Sequence, residues 1–330
     1  MSRSKTNSVM LSIFKKSLPL IGVAIFVYLA YTTGIDKIFS TFLKFSPLSL
    51  IVVSLISLIV VNIYALQWQY ILRKQKIKIN FLQTLKIFLI GCFYGSISPG
   101  YLAQHIRVIY LKKVTKEPYG KLFAGSIIIA VINIIAICIM SILGSLLIIE
   151  RYPSVFYTVV LSLTIFAATL FYFIKKERGE KIFYLLIKFL VPKKIKGRFR
   201  DFIYTLYDDF PNTRDFIAPL LFGFLILMVM YTQFYILAIS LGIKIPFLVF
   251  IFLLPIANVT ALLPITPAGL GTREAVLILL LSLYDIPAEL SIALSLTGYL
   301  LSDFLYGIYG LIVLSIETLK KSQHIRSDPL

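Results

Sequence analysis

SPGYLA, at residues 98–103, interrupts one long apolar stretch of the chain, and TPAGLG, at residues 266–271, interrupts another. Both hexapeptides fit the pattern Ser/Thr-Pro-x-x-Leu-small, and they begin 168 positions apart in a chain of 330 residues. An arginine follows each of them, Arg107 and Arg273. Proline removes a backbone donor and glycine permits unusual backbone angles, so each hexapeptide is expected to break a helix. Broken helices at corresponding places in two halves are typical of transport sites.

The composition sets the class of protein. Hydrophobic residues make up 59% of the chain, and its mean hydropathy is +0.91. Several apolar stretches are long enough to cross a hydrocarbon core of about 30 Å. We therefore expect an all-α, polytopic integral membrane protein in which residues 1–330 form a single membrane domain.

The net charge of +18 comes from basic residues that fall mostly in a few loops. Loops of this kind face an anionic cytoplasmic leaflet, so nucleic acid is not needed to explain the charge. The two cysteines, Cys92 and Cys138, lie in apolar runs, and the two histidines, His105 and His324, are far apart. We expect no disulfide framework, no metal site and no cofactor.

Six clear spans are predicted, at residues 17–33, 47–71, 121–149, 154–174, 216–240 and 288–316. The first is interpreted as a span and not a signal peptide, because the run is long and no convincing small-x-small cleavage pattern follows it. Two weaker regions, 81–112 and 246–284, remain. The chain then has six spans and two re-entrant hairpins, or eight spans.

Charge favours a hairpin for region 81–112. Basic residues stand on both sides of it: Arg73, Lys74, Lys76 and Lys78 before, and Lys112, Lys113, Lys116 and Lys121 after. Both ends are therefore placed inside, with the turn at Ser98, Pro99 and Gly100. The return arm, 101–112, is about 17 Å long as a helix, roughly half a bilayer. The outward arm is longer, so a conventional helix remains an alternative.

The same charge pattern places both termini in the cytoplasm of a cell membrane and Lys37 and Lys44 outside. Charge does not decide between a hairpin and two short spans for region 246–284. If it is a hairpin, its turn is at Thr266, Pro267, Gly269 and Gly271, and each half has three crossings. The halves, about 10–150 and 154–318, would then form an inverted repeat.

The basic loop at 175–215 is predicted to be cytoplasmic and to contain an interfacial helix. Its apolar residues fall on one helical face: Phe199, Phe202, Ile203, Leu206 and Phe210. It is either a connector on the bilayer surface or a basic collar that gathers anionic headgroups.

The candidate binding residues are the polar groups inside the apolar body, where an unpaired charge is costly and often functional. They are Gln104, Arg107, Arg273, Glu274 and Asp303, with neutral polarity from Asn62, Asn133, Gln233 and Asn258. The amides freed at each broken helix, together with an arginine fork, suit a phosphate. Two structural alternatives compete with this role. Arg273 could pair with Glu274 or Asp303, and Arg107 could snorkel to the headgroups.

The sequence carries no sign of an enzyme. It lacks a Walker loop, a nucleotide-binding glycine-rich turn, a His-Glu-x-x-His motif and an Asp-x-Asp motif. Transport without ATP machinery would run on a gradient, and Glu274 and Asp303 are titratable groups available to carry protons.

Two segments resemble known elements of a family. PGYLAQHIRVIYL resembles the Pro-Gly-x-Leu-Gly-x-x-x-Arg element, and PITPAGLGTREAVLILLL the Pro-x-Thr-Pro-Gly-Gly-Leu-Gly-x-Arg-Glu element, of the lysylphosphatidylglycerol synthase transmembrane (flippase-like) family. Ala268 and Ala103 stand where the elements have glycine, and Gln104 where they have an acidic residue. The resemblance covers roughly residues 10–320.

The resemblance implies a multi-pass flippase-type module. Its expected substrate is an anionic phospholipid, an aminoacyl-phospholipid or a polyprenyl-phosphate-linked lipid. The chain ends shortly after its last span, so we expect it to lack the soluble synthase domain of the fused members. The alternative is an accessory membrane subunit that recruits a separately encoded glycosyl- or aminoacyltransferase.

Overall fold

A computed structural model describes residues 26–98, 101–174, 205, 213–261 and 269–327. Within those ranges the regular structure is entirely helical. This confirms the prediction of an all-α polytopic membrane protein. The helices are α1 (26–33), α2 (Ile35–Phe42), α3 (Pro47–Lys74), α4 (Phe81–Ser96), α5 (Arg107–Thr115), α6 (Tyr119–Leu146), α7 (Pro153–Ile174), α8 (Ile217–Ser240), α9 (Phe247–Ala261), α10 (Thr272–Ser282), α11 (Ala288–Tyr299) and α12 (Leu305–Ser327).

Four helices in the described part of the chain are long and apolar enough to cross a membrane: Pro47–Lys74, Tyr119–Leu146, Arg214–Ser240 and Ala288–Leu319. They coincide with four of the predicted spans. The predicted span 154–174 is helix α7, whose described apolar portion is the shorter Pro153–Thr169. The predicted span 17–33 lies mostly outside the described residues. So does most of loop 175–215.

The chain divides into two compact units. Unit 1 comprises Met1–Val60, Leu89–Gln104 and Met228–Leu330, and unit 2 comprises Val61–Phe88 and His105–Leu227. Each unit takes residues from both halves of the sequence. The repeat boundaries at 10–150 and 154–318 stay a prediction.

Polar side chains join the long helices inside unit 2. Gln67 donates to Asn133 Oδ1 at 2.9 Å and to the carbonyl of Pro219 at 2.8 Å, and Asn133 donates back to Gln67 Oε1 at 3.3 Å. These bonds link α3, α6 and α8. Interhelical hydrogen bonds of this kind hold helices together in lipid, where the hydrophobic effect contributes little.

Region 81–112 is a broken helix in which the chain reverses. Helix α4 is 16 residues long, about 24 Å, and it is followed by a short 3₁₀ helix, Leu102–Ile106, and by α5. A Cβ on Gly95 would lie 3.7 Å from the Cα of Gln104. Residues nine apart are separated by about 13 Å in a continuous helix. The chain therefore turns back at this point, although Pro99 and Gly100 themselves lie outside the described residues.

Region 246–284 is likewise broken into two short helices, α9 and α10, which pack against each other. They have 15 and 11 residues, and neither is long enough to cross a 30 Å core. Thr266 and Pro267 lie outside the described residues. Gly269 and Gly271 have φ of 74° and 86°, a left-handed conformation that glycine adopts without a steric penalty. The side of the membrane from which each broken helix enters stays a prediction.

The last span changes its winding at Asp303. Helix α11 passes into a π-helical turn, Leu300–Phe304, and then into α12. A π turn displaces backbone bonds, and the carbonyl of Leu301 accepts a hydrogen bond from Ser57 of α3. Ser57 also accepts a hydrogen bond from Gln233 of α8 at 2.8 Å. Single π turns inside α-helices are frequent at functional sites.

The last span also approaches α4 closely within unit 1. A Cβ on Gly307 would meet the Ser96 hydroxyl at 2.5 Å, and one on Gly310 would collide with the backbone carbonyl of Leu89. Small residues three or four positions apart allow helix backbones to approach in this way in membranes. This packing fixes the first broken helix against the span that carries Asp303.

Candidate functional site

The start of α10 is fixed by a side chain of its own first turn. Gly271 donates its backbone N–H to Glu274 Oε2 at 2.6 Å. This is the glutamate half of a capping box, and glycine has no side chain to supply the other half. The second proline motif thus leads into a helix whose first turn is closed by Glu274.

Arg273, Glu274 and Ser295 form a buried triangle of hydrogen bonds. Arg273 Nη2 lies 2.9 Å from Glu274 Oε1, and Arg273 Nε donates to the hydroxyl of Ser295 at 2.9 Å. Ser295 in turn donates to Glu274 Oε1 at 2.6 Å. Arg273 is 4% exposed and Glu274 is fully buried, so both charges are removed from solvent. A buried pair of this kind needs such extra bonds to offset its desolvation.

The triangle holds the plane of the Arg273 guanidinium in a defined position. Its Cζ lies 5.5 Å from the centre of the Tyr299 ring, one helical turn beyond Ser295. The described contacts use Nε and Nη2, and within the described residues Nη1 makes no hydrogen bond to the protein. Arginine carries five N–H donors in a fixed fork. The pairing with Glu274 foreseen as a structural alternative is present, and it leaves one amino group of the fork available.

Asp303 lies on the π turn and accepts a hydrogen bond from Tyr101 Oη at 3.3 Å. Tyr101 directly follows Pro99 and Gly100, and its φ of 57° is unusual for a residue other than glycine. Arg273 lies near the same part of the last span, since its Cζ is 5.5 Å from the ring of Tyr299, four residues before Asp303, and all these residues belong to unit 1. Residues that border both proline motifs therefore meet the last span.

A second contact joins the first turn to the same face of the last span. Tyr299 donates to the carbonyl of Ser96 at 3.0 Å. Ser96 and Tyr101 flank the proline turn, while Tyr299 and Asp303 are four residues apart on the span. The two hydrogen bonds therefore attach the residues before and after the proline turn to the last span.

Gln104 and Ser98 stabilise the reversal of the chain. The hydroxyl of Ser98 accepts the backbone N–H of Ala103 at 3.0 Å, and Gln104 packs its Cβ against Gly95. Gln104 is half-buried, and its side-chain amide makes no hydrogen bond within the described residues. Its predicted role in binding substrate stays a prediction.

Arg107 is a buried residue of unit 2. It is 2% exposed and donates through Nε to the hydroxyl of Ser126 at 2.9 Å. Its Cζ lies 4.5 Å from the centre of the Trp68 ring and 5.1 Å from that of Phe88. Stacking on aromatic faces stabilises a desolvated guanidinium. This environment does not fit the alternative in which Arg107 snorkels to the headgroups.

The surroundings of Arg107 contain two further polar groups. His105 Nδ1 lies 2.8 Å from the same Ser126 hydroxyl. The indole Nε1 of Trp68 is buried and has no hydrogen-bond partner within the described residues. An orphaned buried N–H is rare in native proteins and calls for an explanation.

The two arginines share one pattern of contacts. Each follows a broken helix, donates through Nε to a serine hydroxyl of a helix further along the chain at 2.9 Å, and lies near an aromatic ring. Arg273 uses Ser295 and Tyr299, whereas Arg107 uses Ser126 and Trp68. The two sites differ in the residue after the arginine, which is Glu274 in one and Val108 in the other. The inverted repeat stays a prediction.

Sequence reasoning missed the partners of the arginines. Ser126, Ser295 and Tyr299 were not among the predicted site residues, and Tyr101 was noted only as a member of its motif. Serine and tyrosine are common in membrane helices, and nothing in their spacing marks them. Tyr299 and Asp303, at positions i and i+4, carry the one sequence pattern that could have pointed to this face. In the described part of the chain, no group of three or more His, Cys, Asp or Glu residues could hold a metal ion.

Sequence comparison identifies the family of the chain. The sequence model described as "Lysylphosphatidylglycerol synthase TM region" matches residues 18–310. The chain belongs to this family. Both proline motifs and all five predicted binding residues lie inside the matched range.

Curated relatives are archaeal and are free-standing proteins of similar length. A UPF0104 membrane protein of Pyrococcus horikoshii is 21% identical, over 90% of this chain and 95% of its own. One from Methanothermobacter thermautotrophicus is 23% identical, over 89% and 91%. One from Methanocaldococcus jannaschii is 22% identical, over 86% and 89%. Their names state that they are membrane proteins and nothing about a substrate.

Proposed function

We propose that this family member moves a phosphate-bearing lipid across the cell membrane and catalyses no chemical reaction. The substrate class is an anionic phospholipid, an aminoacyl-phospholipid or a polyprenyl-phosphate-linked lipid. The observation that carries the proposal is the buried fork of Arg273, which Glu274 and Ser295 hold in place at the second proline motif.

The fork is suited to a phosphate because it is preorganised. Three hydrogen bonds fix the guanidinium plane before any ligand arrives, so little side-chain entropy is lost when Nη1 donates to a phosphate oxygen. The lipid tail can remain in the bilayer while the headgroup enters. Glu274 acts as a positioning residue, since its two oxygens are already used by Gly271, Arg273 and Ser295.

Arg107 supplies a second candidate position for the phosphate. The fork is held by Ser126 and two aromatic rings, and the orphaned indole N–H of Trp68 lies beside it. A phosphate oxygen would satisfy that donor. We propose that the two arginines bind the headgroup in alternation from opposite membrane faces, with both chain termini in the cytoplasm.

We propose that Asp303 controls the charge of the Arg273 cluster. Arg273 and Glu274 neutralise each other, so an ionised Asp303 leaves the cluster with one negative charge. An incoming phosphate would be repelled. Protonation of Asp303 removes that repulsion, so uptake of the anionic headgroup is coupled to uptake of a proton.

The decisive experiment separates transport from the structural role of the ion pair. Arg273→Ala alone leaves Glu274 buried without its partner and is expected to destabilise the fold, by about 3–5 kcal/mol. The double variant Arg273→Met/Glu274→Gln removes both charges and is expected to retain the wild-type thermal midpoint much more closely. Purified protein in liposomes with fluorescent anionic, aminoacylated or prenyl-phosphate lipids reports lipid movement.

Faster lipid movement than in empty liposomes for the wild type, and its loss in the folded double variant, would support the proposal. Wild-type rates in the double variant would contradict it. If no tested lipid crosses faster than in empty liposomes, the result favours the alternative of an accessory subunit. Binding of a transferase to loop 175–215 should then be measured.

Cysteine labelling tests the proposed orientation. In a variant lacking Cys92 and Cys138, single cysteines at Ser98 and Thr266 are expected to react with impermeant reagents from opposite sides of the membrane. Exposure of both positions to the same side only would exclude the inverted repeat.

A further inference from the structure

The loop between α3 and α4 forms a hollow of about 630 Å³ whose polar side chains are either basic residues or amides. Its lining consists of Arg73, Lys76, Ile77, Lys78, Ile79, Asn80 and Gln83, and is referred to below as the basic hollow. Three of these side chains are cationic and two are amides, and no carboxylate of the described residues lines it. All of these residues lie in unit 2.

Alternation of the side chains creates the charged face. Ile77 and Ile79 are buried, whereas Lys76, Lys78 and Asn80 between and beside them are exposed. Gln69 donates to the carbonyl of Ile79 at 3.1 Å and fixes this extended segment against α3. Lys76 and Lys78 are therefore exposed on this segment, and Arg73, at the end of α3, is exposed as well.

Among the described residues, no carboxylate forms an ion pair with the cations of the basic hollow. Lys74, which does not line the hollow, pairs with Asp215 at 2.7 Å. Within the described residues Arg73, Lys76 and Lys78 form no ion pair. Three positive charges around one concave surface repel one another unless an anion lies between them.

Lys76 stands at a position that disfavours a lysine. Its φ is 61°, and the bonds from Ile77 N–H to the Leu72 carbonyl and from Lys76 N–H to the Arg73 carbonyl form a Schellman motif. Glycine is the usual residue at this position because it has no Cβ. The chain carries a cation there at a conformational cost.

The N-terminus of α4 adds to the positive potential. Asn80 caps it by accepting the backbone N–H of Gln83 at 2.8 Å, and the helix that follows is 16 residues long. Amide groups at a helix start favour anions. The hollow also borders apolar surface, because Leu82 at the same helix start is 60% exposed.

We propose that the basic hollow binds the phosphate of an anionic lipid headgroup, in the leaflet where this loop lies. Charge distribution assigns that leaflet to the cytoplasmic side. The position argues for a lipid and not for a soluble anion, since the hollow joins the ends of two membrane helices and has an exposed leucine at its edge. Neither Arg107 nor Arg273 lines the basic hollow, and binding here does not require that the protein transport lipid.

Photocrosslinking tests the proposal on the full chain. The protein is reconstituted in phosphatidylcholine vesicles that contain a diazirine-tagged phosphatidylglycerol with its photoreactive group near the headgroup. After irradiation, mass spectrometry locates the modified peptides. We expect labelling of residues 73–83, and a loss of roughly fivefold for each cation removed, hence roughly a hundredfold in Arg73→Gln/Lys76→Gln/Lys78→Gln.

Matched variants make the result specific. Lys74→Gln removes one charge from the same helix end without touching the hollow and is expected to label like the wild type. Lys76→Gly removes a cation and relieves the backbone, so reduced labelling in this variant cannot result from misfolding. Equal labelling in the triple variant and the wild type would overturn the proposal. The proposal would also be overturned if the lipid fails to label residues 73–83 while inorganic phosphate protects their lysines from a lysine-modifying reagent.

Discussion

Asp303 accepts a hydrogen bond from the hydroxyl of Tyr101 at an O···O distance of 3.3 Å. The last span is thereby joined to the residue that follows the first proline turn. The partner of the Tyr101 hydroxyl belongs neither to the helix that precedes the turn nor to a neighbouring loop. It is a carboxylate on a π-helical turn 202 residues further along the chain.

Removing this hydroxyl is expected to loosen the first turn. Tyr101→Phe keeps the ring and deletes only the donor to Asp303. Because the acceptor is a carboxylate, we expect a loss of about 1.5 kcal/mol in the free energy of unfolding, near the upper end measured for side-chain hydrogen bonds in membranes. The thermal midpoint in detergent measures this. Tyr94→Phe, on the same broken helix, is the control, and an equal midpoint shift in both variants would contradict the assigned contact.

Ser295 is predicted to matter more than its neighbour one turn earlier. Ser295→Ala deprives both Arg273 and Glu274 of a buried hydrogen bond and is expected to destabilise the protein by about 1–3 kcal/mol. Ser291 is equally buried, but within the described residues its hydroxyl bonds to the carbonyl of Pro287, the N-cap of its own helix, at 3.4 Å. Ser291→Ala should therefore have little effect on the thermal midpoint.

Ser126→Ala extends the same test to the other arginine. Its hydroxyl contacts both Arg107 and His105, so a loss similar to that of Ser295→Ala is expected. A destabilised Ser295→Ala beside an unaffected Ser126→Ala would argue against equivalent roles for the two arginines.

Local signals in the sequence were enough to expect a break in regions 81–112 and 246–284 and to select Arg107 and Arg273 as candidate residues. Proline and glycine act locally, and a charge inside an apolar run is conspicuous wherever it occurs, so neither requires knowledge of tertiary contacts. The charge of Glu274 was visible too. Glu274 is three residues after Gly271, which is the spacing of a capping box, so its hydrogen bond to the start of α10 also corresponds to a local sequence pattern.

The remainder of the site depends on contacts between distant residues. Tyr101 with Asp303 and Arg273 with Ser295 are pairs that only the packed helices bring together. The π turn at Leu300–Phe304 contains no proline or glycine from which it could be predicted. Such pairs carry no local sequence signal, because their members are far apart in the chain.

A larger side chain at Gly310 is expected to destabilise the contact between α4 and the last span. A Cβ there collides with the backbone carbonyl of Leu89, which cannot move aside as a side chain can. Gly310→Ala should cost about 1–3 kcal/mol of stability through overpacking. Gly307→Ala meets only the Ser96 side chain and should cost less. Leu311→Ala, at a 45% exposed neighbour, is the control for the thermal midpoint, and a larger effect there than at Gly310 would be inconsistent with the close approach.

Asp303→Asn tests the proposed link between headgroup and proton. The amide keeps an acceptor for Tyr101 and is neutral at every pH, as the protonated carboxyl is. In the wild type, lowering the pH protonates Asp303, removes the negative charge beside Arg273 and should strengthen binding of an anionic lipid. A phosphodiester stays anionic over this pH range, so the change in affinity arises from the protein.

Asp303→Asn is expected to bind the lipid at least as tightly as the wild type at low pH and to lose the pH dependence. Lipid binding measured across pH in detergent, with Glu289→Gln as a control at a carboxylate outside the cluster, gives the comparison. If Asp303→Asn retains the wild-type pH profile, another group carries the proton or none does, and the charge balance around Arg273 does not govern binding.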